Sequence, residues 1–316
     1  MNLSKLKPLS GDASFRKFYR YNNNIIIVSK KETKKNLLIY DAINKILNEN
    51  KIKSPKLISQ NYKLKSIQIE DFGNTTVYQI VKKNNKKKLL YYKKIIKLLN
   101  LIQKIKTKRI KTFLGSIYKV PKYSKKILLN EAKLFLDWYV PKKIKKKNQI
   151  LLKKKLTLVL KKLTNKIKFN NKIFVHRDFH ISNIMIKNKK LCLIDSQDAA
   201  FGNVAYDLAS LIDDVRLKTS TRFKQDIFEE YIKTNKKMNI ENFKNDFEIL
   251  SVLRNLKIIG IFTRLSIRDN KNNYLKLIPY AWRLIEQRTE KNKKFIELKT
   301  ILDKYFSKRK RNKYEN

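Results

Sequence analysis

The chain has 316 residues, 76 basic and 26 acidic, for a formal net charge of +50. Its 42% hydrophobic content supplies a real core, and its length suits two domains or one large two-part domain. One cysteine, Cys192, excludes a disulfide framework and a cysteine zinc site, and its apolar neighbours point to a core thiol in a reducing compartment. The five glycines, Gly11, Gly73, Gly115, Gly202 and Gly260, stand too far apart for a G-x-G-x-x-G fingerprint or a Walker loop.

Residues 15–21 and 25–28 read as two short strands joined by the turn Asn22-Asn23-Asn24. A helix follows over 37–47, with Leu38, Ala42, Ile43, Ile46 and Leu47 on one side. Pro55 breaks the chain, and 57–59 and 66–69 are further strands before the polar turn 70–74. From Thr75 the pattern turns helical: Leu89, Tyr92, Ile96, Leu99 and Ile102 make one apolar stripe. Helices are also expected over 128–139, ended by Pro141, and over 150–167, 223–232, 243–262, 274–288 and 295–306. The exception is a β-rich insert, 173–195, and the basic tail 307–316 is expected to fray. The expected organisation is α+β: a small β-rich N-terminal lobe (1–73), a larger mainly helical lobe (74–306) and the tail. No apolar run has the length of a membrane span, and the first ten residues lack a secretory h-region, so a cytoplasmic location with no membrane partner is expected.

Chemistry concentrates in 173–214. Both histidines, His176 and His180, lie there, as do six aspartates of an acid-poor chain. A short apolar strand, 173–175, empties into a polar loop. Strands 184–186 and 191–194 form a hairpin across 187–190, so Asn183 and Asp195 fall at the same edge, with Asp178 on the loop just before. Two carboxylates and an amide oxygen suit Mg²⁺, which is commonly completed by substrate phosphates. A carboxylate beside such an ion can take a proton from a hydroxyl nucleophile. The spacing His176-Arg177-Asp178, four residues, Asn183 is that of the H-R-D-x-x-x-x-N phosphoryl-transfer loop, with Asp195 in the place of the second metal aspartate. A zinc reading of His176 and His180 is weaker, because Arg177 stands where H-E-x-x-H needs glutamate and no helix is expected there.

These motifs resemble the kinase-like small-molecule phosphotransferases, which include aminoglycoside phosphotransferases and choline kinases. Ser10-Gly11-Asp12-Ala13-Ser14-Phe15-Arg16, Glu70-Asp71-Phe72-Gly73-Asn74, Glu131 with Trp138-Tyr139, and Asp195-Ser196-Gln197-Asp198 with Tyr206-Asp207 narrow the resemblance to the bacterial anomeric kinases for N-acetylmuramate and N-acetylglucosamine. The resemblance implies a two-lobed, protein-kinase-like fold, ATP and Mg²⁺ as cofactors, and a small sugar as acceptor in cell-wall recycling. It further implies that the product is passed to a nucleotidylyltransferase.

Under that resemblance Asp178 is the catalytic base, and Asn183 and Asp195 hold Mg²⁺. Ser14, in the 11–16 turn, covers the ATP phosphates, and backbone at Glu70 and Phe72 meets adenine. The phosphate-binding lysine falls at Lys30 or Lys31, and its acidic partner at Asp41 or Glu49. His176 braces the loop and Asp207 caps a helix starting near Tyr206. His180 and Asp198 either touch the sugar or hold the loop, while Glu131, Trp138 and Tyr139 either line the sugar site or belong to an amphipathic helix. Ser182 departs from the pattern, standing where a basic residue is expected.

The dispersed lysines read as codon drift more than as a polyanion surface, so nucleic acid is not an expected partner. Two other functions remain open at this point. One is a kinase of another small alcohol, such as an aminoglycoside or choline. The other is a basic nucleic-acid-associated protein on a degenerate kinase scaffold.

Overall fold

The run Ile25-Ile26-Ile27-Val28 has no polar alternation because its strand lies at the centre of a sheet. In the computed structural model, described over residues 7–9, 16–29, 35–290 and 292–314, five antiparallel strands form that sheet. They are β1 (Lys7–Leu9), β2 (Lys17–Tyr21), β3 (Asn24–Val28), β4 (Leu57–Asn61) and β5 (Ser66–Glu70), in the order β1-β2-β3-β5-β4. Asn22 and Asn23 both take left-handed backbone angles (φ 43° and 58°), which a two-residue hairpin turn with matching strand twist requires and asparagine tolerates. Helix α1 (Lys35–Glu49) packs Leu37 and Tyr40 against Ile27, Ile67 and Ile69, and this cluster is the core of the sheet.

The chain clusters into two compact units, 1–121 with 173–201, and 122–172 with 202–316. The first continues through α2 (Val77–Lys83), α3 (Lys88–Gln103) and the hairpin β6 (Arg109–Lys111)–β7 (Ile117–Lys119). It then takes in β8 (Ile173–Val175), the hairpin β9 (Ile184–Lys187)–β10 (Lys190–Leu193), and β11 (Ala200–Gly202), which pairs with β8. The boundary expected at residue 73 is the edge of neither unit. Segment 70–76 is bonded into the β9–β10 hairpin: Ile186 N–H donates to Thr75 O at 2.9 Å, and Lys187 Nζ to Asp71 O at 2.8 Å.

The second unit is helical: α4 (Lys125–Ala132), α5 (Val140–Lys143), α6 (Lys146–Asn165), α7 (Tyr206–Ile212), α8 (Thr221–Thr234), α9 (Ile240–Asp269), α10 (Ile278–Thr289), α11 (Ile296–Tyr305) and α12 (Lys308–Asn312). Helix α9 runs 30 residues and is buried on most sides, so its apolar residues do not keep to one stripe. The helix expected over 128–139 is interrupted. After α4, residues Phe135–Tyr139 wind as a π-helix, and Pro141 opens α5 instead of ending a helix, its missing N–H being harmless in a first turn. Gly260 on α9 explains the close crossing: a Cβ there would lie 2.3 Å from Leu134 C.

The tail departs from expectation up to Tyr314. Arg311 is buried, pairs with Glu286 and Asp303 at 2.5 and 2.6 Å, and lies over the Trp282 ring at 4.9 Å. Among the described residues no helix is long and apolar enough to cross a membrane.

Candidate active site

Strand β8 delivers the chain into the loop 176–183, whose shape is set by its own backbone. The Asp178 carbonyl accepts from His180 N–H at 3.1 Å and from the Asn183 side-chain amide at 3.0 Å. The His180 carbonyl accepts from Asn183 N–H at 2.9 Å, closing one tight helical turn over 181–183. Buried His176 sets its Nε2 3.1 Å from the Ile194 carbonyl, tying the loop to the far end of the hairpin.

Arg177 and Asp195 both hold left-handed angles (φ 73° and 59°), uncommon for residues with side chains and a form of strain often kept at working sites. Arg177 Nη1 is strapped to the Asp198 carbonyl at 3.0 Å, with the exposed Asp198 carboxylate at 3.8 Å. Tyr118 of β7 lies in the same field: burial, with the charge of Asp198, pushes its phenol up to about 12.

The β9–β10 register pairs Ile184 with Leu193, and Ile194 N–H donates to the Asn183 carbonyl at 3.0 Å. Asn183 and Asp195 therefore meet at the open end of the hairpin. The Asp195 carboxylate accepts at Oδ1 from Gln197 Nε2 at 3.1 Å and from Arg16 Nη2 at 3.5 Å. Burial pushes the Asp195 carboxyl up, Arg16 and Gln197 pull it down, and the neighbouring Asp178 and Asp198 carboxylates push it up again. A buried carboxylate raised by neighbouring carboxylates is a place where a cation is favoured.

The donor set fits magnesium. The Asn183 amide spends its N–H₂ on the Asp178 carbonyl, so its oxygen is the end left to accept. Asp195 Oδ2 takes no hydrogen bond from the described residues. No cluster of three or more His, Cys, Asp or Glu side chains suited to a metal occurs among the described residues. The two oxygen ligands would thus need phosphates and water to complete a shell, as Mg²⁺ usually does.

The Glu70–Asn74 segment is built from charge pairs. Asp71 and Asn74 receive Arg20 (Nη2 to Asp71 Oδ1 3.1 Å; Nη1 to Asn74 Oδ1 2.8 Å), and Gly73 takes φ 81° to close the turn. Glu70 Oε1 pairs with Lys187 at 3.2 Å and with Lys53 at 3.7 Å, while Phe72 packs with Met185 and Cys192 beneath both ammonium groups. Both side chains are thus engaged within the fold. Burial raises the Cys192 thiol, as expected of an inert core cysteine.

The remaining expected residues fall as follows. Ser14 and Lys30 lie outside the described residues. His180 is buried, its Nε2 3.4 Å from Asn183 Nδ2. Glu131 belongs to the second unit, where it accepts from Tyr123 Oη and pairs with Lys257 at 2.9 Å. Tyr139 is a core residue, its Oη accepting from Trp282 Nε1 at 3.1 Å. Asp207 is not the helix cap. Helix α7 is entered at Ala205, whose N–H donates to Asn203 Oδ1 at 2.9 Å, and Asp207 sits inside the buried first turn, near the positive end of the helix. The cap position, Ala205, has no side-chain cap, and Asn203 makes a local turn just before it, its short amide reaching two residues on. Asp41 pairs with Lys45 at 2.8 Å, and Glu49 is exposed at the end of α1.

Residues 5–239 match the APH phosphotransferase enzyme family. The chain belongs to that family. It is 25% identical over 280 residues to an N-acetylmuramate/N-acetylglucosamine kinase of Neisseria meningitidis, covering 85% of this chain and 81% of that protein. A protein of the same name from Pseudomonas aeruginosa is 24% identical over 310 residues, covering 95% and 88%. Solved structures with the same fold include an aminoglycoside phosphotransferase APH(2")-IIa with gentamicin (TM-score 0.63, 14% identity, 89% and 93% covered). A choline/ethanolamine kinase family protein from Mesorhizobium loti also matches (TM-score 0.61, 7% identity, 94% and 92% covered). The fold is thus protein-kinase-like, and the chain is a small-molecule phosphotransferase that acts on a hydroxyl group.

Proposed function

We propose that this phosphotransferase moves the γ-phosphoryl group of ATP to the anomeric hydroxyl of N-acetylmuramate or N-acetylglucosamine. The observation that carries the reading is Asp178, Asn183 and Asp195 gathered by one loop and one hairpin. Its support for the acceptor is the likeness to the amino-sugar kinases over most of both chains.

The Asp178 carboxylate orients the sugar hydroxyl and takes its proton as the phosphoryl group leaves ATP, a role worth about 10²–10⁴-fold in rate. Asn183 Oδ1 and Asp195 Oδ2 are the atoms that would hold Mg²⁺, which when bound supplies neutralisation of the phosphate charge. The Arg177–Asp198 strap and the His176–Ile194 bond keep the base and the two ligands in register, so the chain's contribution is chiefly positioning. The nucleotide is assigned to residues 1–73, with adenine at the backbone of 70–72. The sugar 1-phosphate so formed is a substrate for a nucleotidylyltransferase, as cell-wall sugar recycling requires.

The formal charge of +50 favours an acidic acceptor such as N-acetylmuramate over a polycationic aminoglycoside. The test is an ADP-release assay with Mg-ATP and four acceptors: N-acetylmuramate, N-acetylglucosamine, kanamycin and choline. ADP release with the amino sugars alone is expected. Release with kanamycin or choline alone overturns the acceptor, and salt-sensitive DNA or RNA binding without ATP turnover overturns the enzyme.

A further inference from the structure

The Asp195 carboxylate has one cationic neighbour among the ion pairs of the described residues, Arg16 at 3.5 Å. Arg16 leads into β2 and is only 8% exposed. Its guanidinium lies over the Tyr40 ring on α1, 5.7 Å from the centroid. Burial holds the Tyr40 phenol at about 12, so at neutral pH that ring is an uncharged surface and not an ion-pair partner. Among the described residues, the α1 acid Asp41 pairs with Lys45 and Glu49 is exposed at the end of the helix. Among the described residues, the charge that reaches Asp195 is thus a guanidinium resting on a tyrosine face.

Burying a guanidinium is costly unless its charge is used. Stacking on an aromatic ring fixes its plane, and its planar fork matches phosphate oxygens better than an ammonium does. Asp195 Oδ1 receives this arginine while Oδ2 stays available for a cation, so both charges that a polyphosphate needs lie on one carboxylate.

We propose that Arg16 is the residue that grips the nucleotide phosphates, in the role the sequence assigns to Lys30. This inference rests on the ATP-kinase reading above. A purely structural arginine would lower affinity for every nucleoside alike, whereas a phosphate contact is felt only by the phosphorylated ones.

The test compares full-length wild type, Arg16→Met, Arg16→Lys and Lys30→Met. Calorimetry with Mg²⁺ gives affinities for ADP and adenosine, and steady-state kinetics give KM and kcat for ATP. Arg16→Met should weaken ADP about 10–100-fold, as the loss of charge-assisted hydrogen bonds implies, with adenosine affinity within about twofold of wild type. Arg16→Lys should fall between the two, because it keeps the charge and loses the fork. If Arg16→Met does not fold, Arg16→Lys carries the same comparison. The inference is overturned if ADP binds the Arg16 variants as it binds wild type, if ADP and adenosine weaken together, or if the phosphate-specific loss appears in Lys30→Met instead. A wild type that binds no nucleotide overturns the kinase reading and this inference with it. A wild type that turns over ATP beside an unaffected Arg16→Met overturns this inference alone.

Discussion

Replacing Asp213 by asparagine should destabilise the helical unit strongly, and the size can be reasoned from its partners. The buried carboxylate follows α7 and accepts from Lys224 of α8 at 2.7 Å, Ser251 of α9 at 2.6 Å and Arg288 of α10 at 2.8 Å. Four helices are pinned at one group. Lys224 is itself buried, so an amide at 213 removes the carboxylate charge paired with its ammonium and leaves it the Ile212 carbonyl at 2.9 Å and the Tyr280 ring at 5.7 Å. Breaking such a buried pair from one side costs about 3–5 kcal/mol. A unit of this size loses about 2–4 °C per kcal/mol, so the melting midpoint should fall by about 6–20 °C.

Burial alone would push the Asp213 carboxyl up, but Lys224 and Arg288 hold it far below the ordinary carboxylate range. A carboxyl depressed in the folded state stabilises above its unfolded value of about 3.9 and loses that contribution as pH falls below it. The gap between wild type and Asp213→Asn should therefore be constant from pH 6 to 8 and narrow below about pH 5. Calorimetry across that range checks it. A shift under about 2 °C, or a gap that ignores pH, would refute the reasoning.

Two further changes separate stability from chemistry. Gly260→Ala places a methyl 2.3–2.5 Å from Leu134 and Phe135 backbone, and with no flexible side chain to yield it should cost about 3 kcal/mol or more in thermal unfolding while α9 stays helical by circular dichroism. Asp195→Asn should lower kcat by about 10²-fold or more. Because burial and Asp178 disfavour its charge, the nucleotide-free variant should melt no lower than wild type at pH 7, with the two converging as pH falls. A clear drop in midpoint at pH 7 would show that the Arg16 pair outweighs that repulsion.

The chemical loop was legible because its residue types and spacing fall within twenty residues and are framed by short apolar strands. His176, Asp178, Asn183 and Asp195 stand where a strand, loop and hairpin must deliver them. The sheet was legible too, since a four-residue apolar run between turn residues admits little else. What escaped depends on distant partners. Arg16 and Asp195 are 179 residues apart, and no local pattern links them. The β6–β7 hairpin escaped because its strands have three residues each and carry lysine and arginine. The π-turn after α4 answers to Gly260 more than a hundred residues away, and the basic tail docks through Arg311 on acids and a tryptophan from two other helices. The helix cap was misplaced because Asp207 is a good first-turn acid, while the chain enters the helix two residues earlier, at Ala205, through a turn bonded to Asn203.

The central claim is that Asp178, Asn183 and Asp195 phosphorylate an amino sugar at its anomeric hydroxyl. Its most direct test is ³¹P NMR of the protein with Mg-ATP and N-acetylmuramate or N-acetylglucosamine, beside Asp178→Asn. The loop bonds at 178 that hold His180 and Asn183 run through its carbonyl, so that variant keeps them. A sugar 1-phosphate resonance that grows with wild type and not with Asp178→Asn is the predicted result. A folded, ATP-binding wild type that yields no sugar 1-phosphate, or an Asp178→Asn variant that yields it at the wild-type rate, would contradict the account.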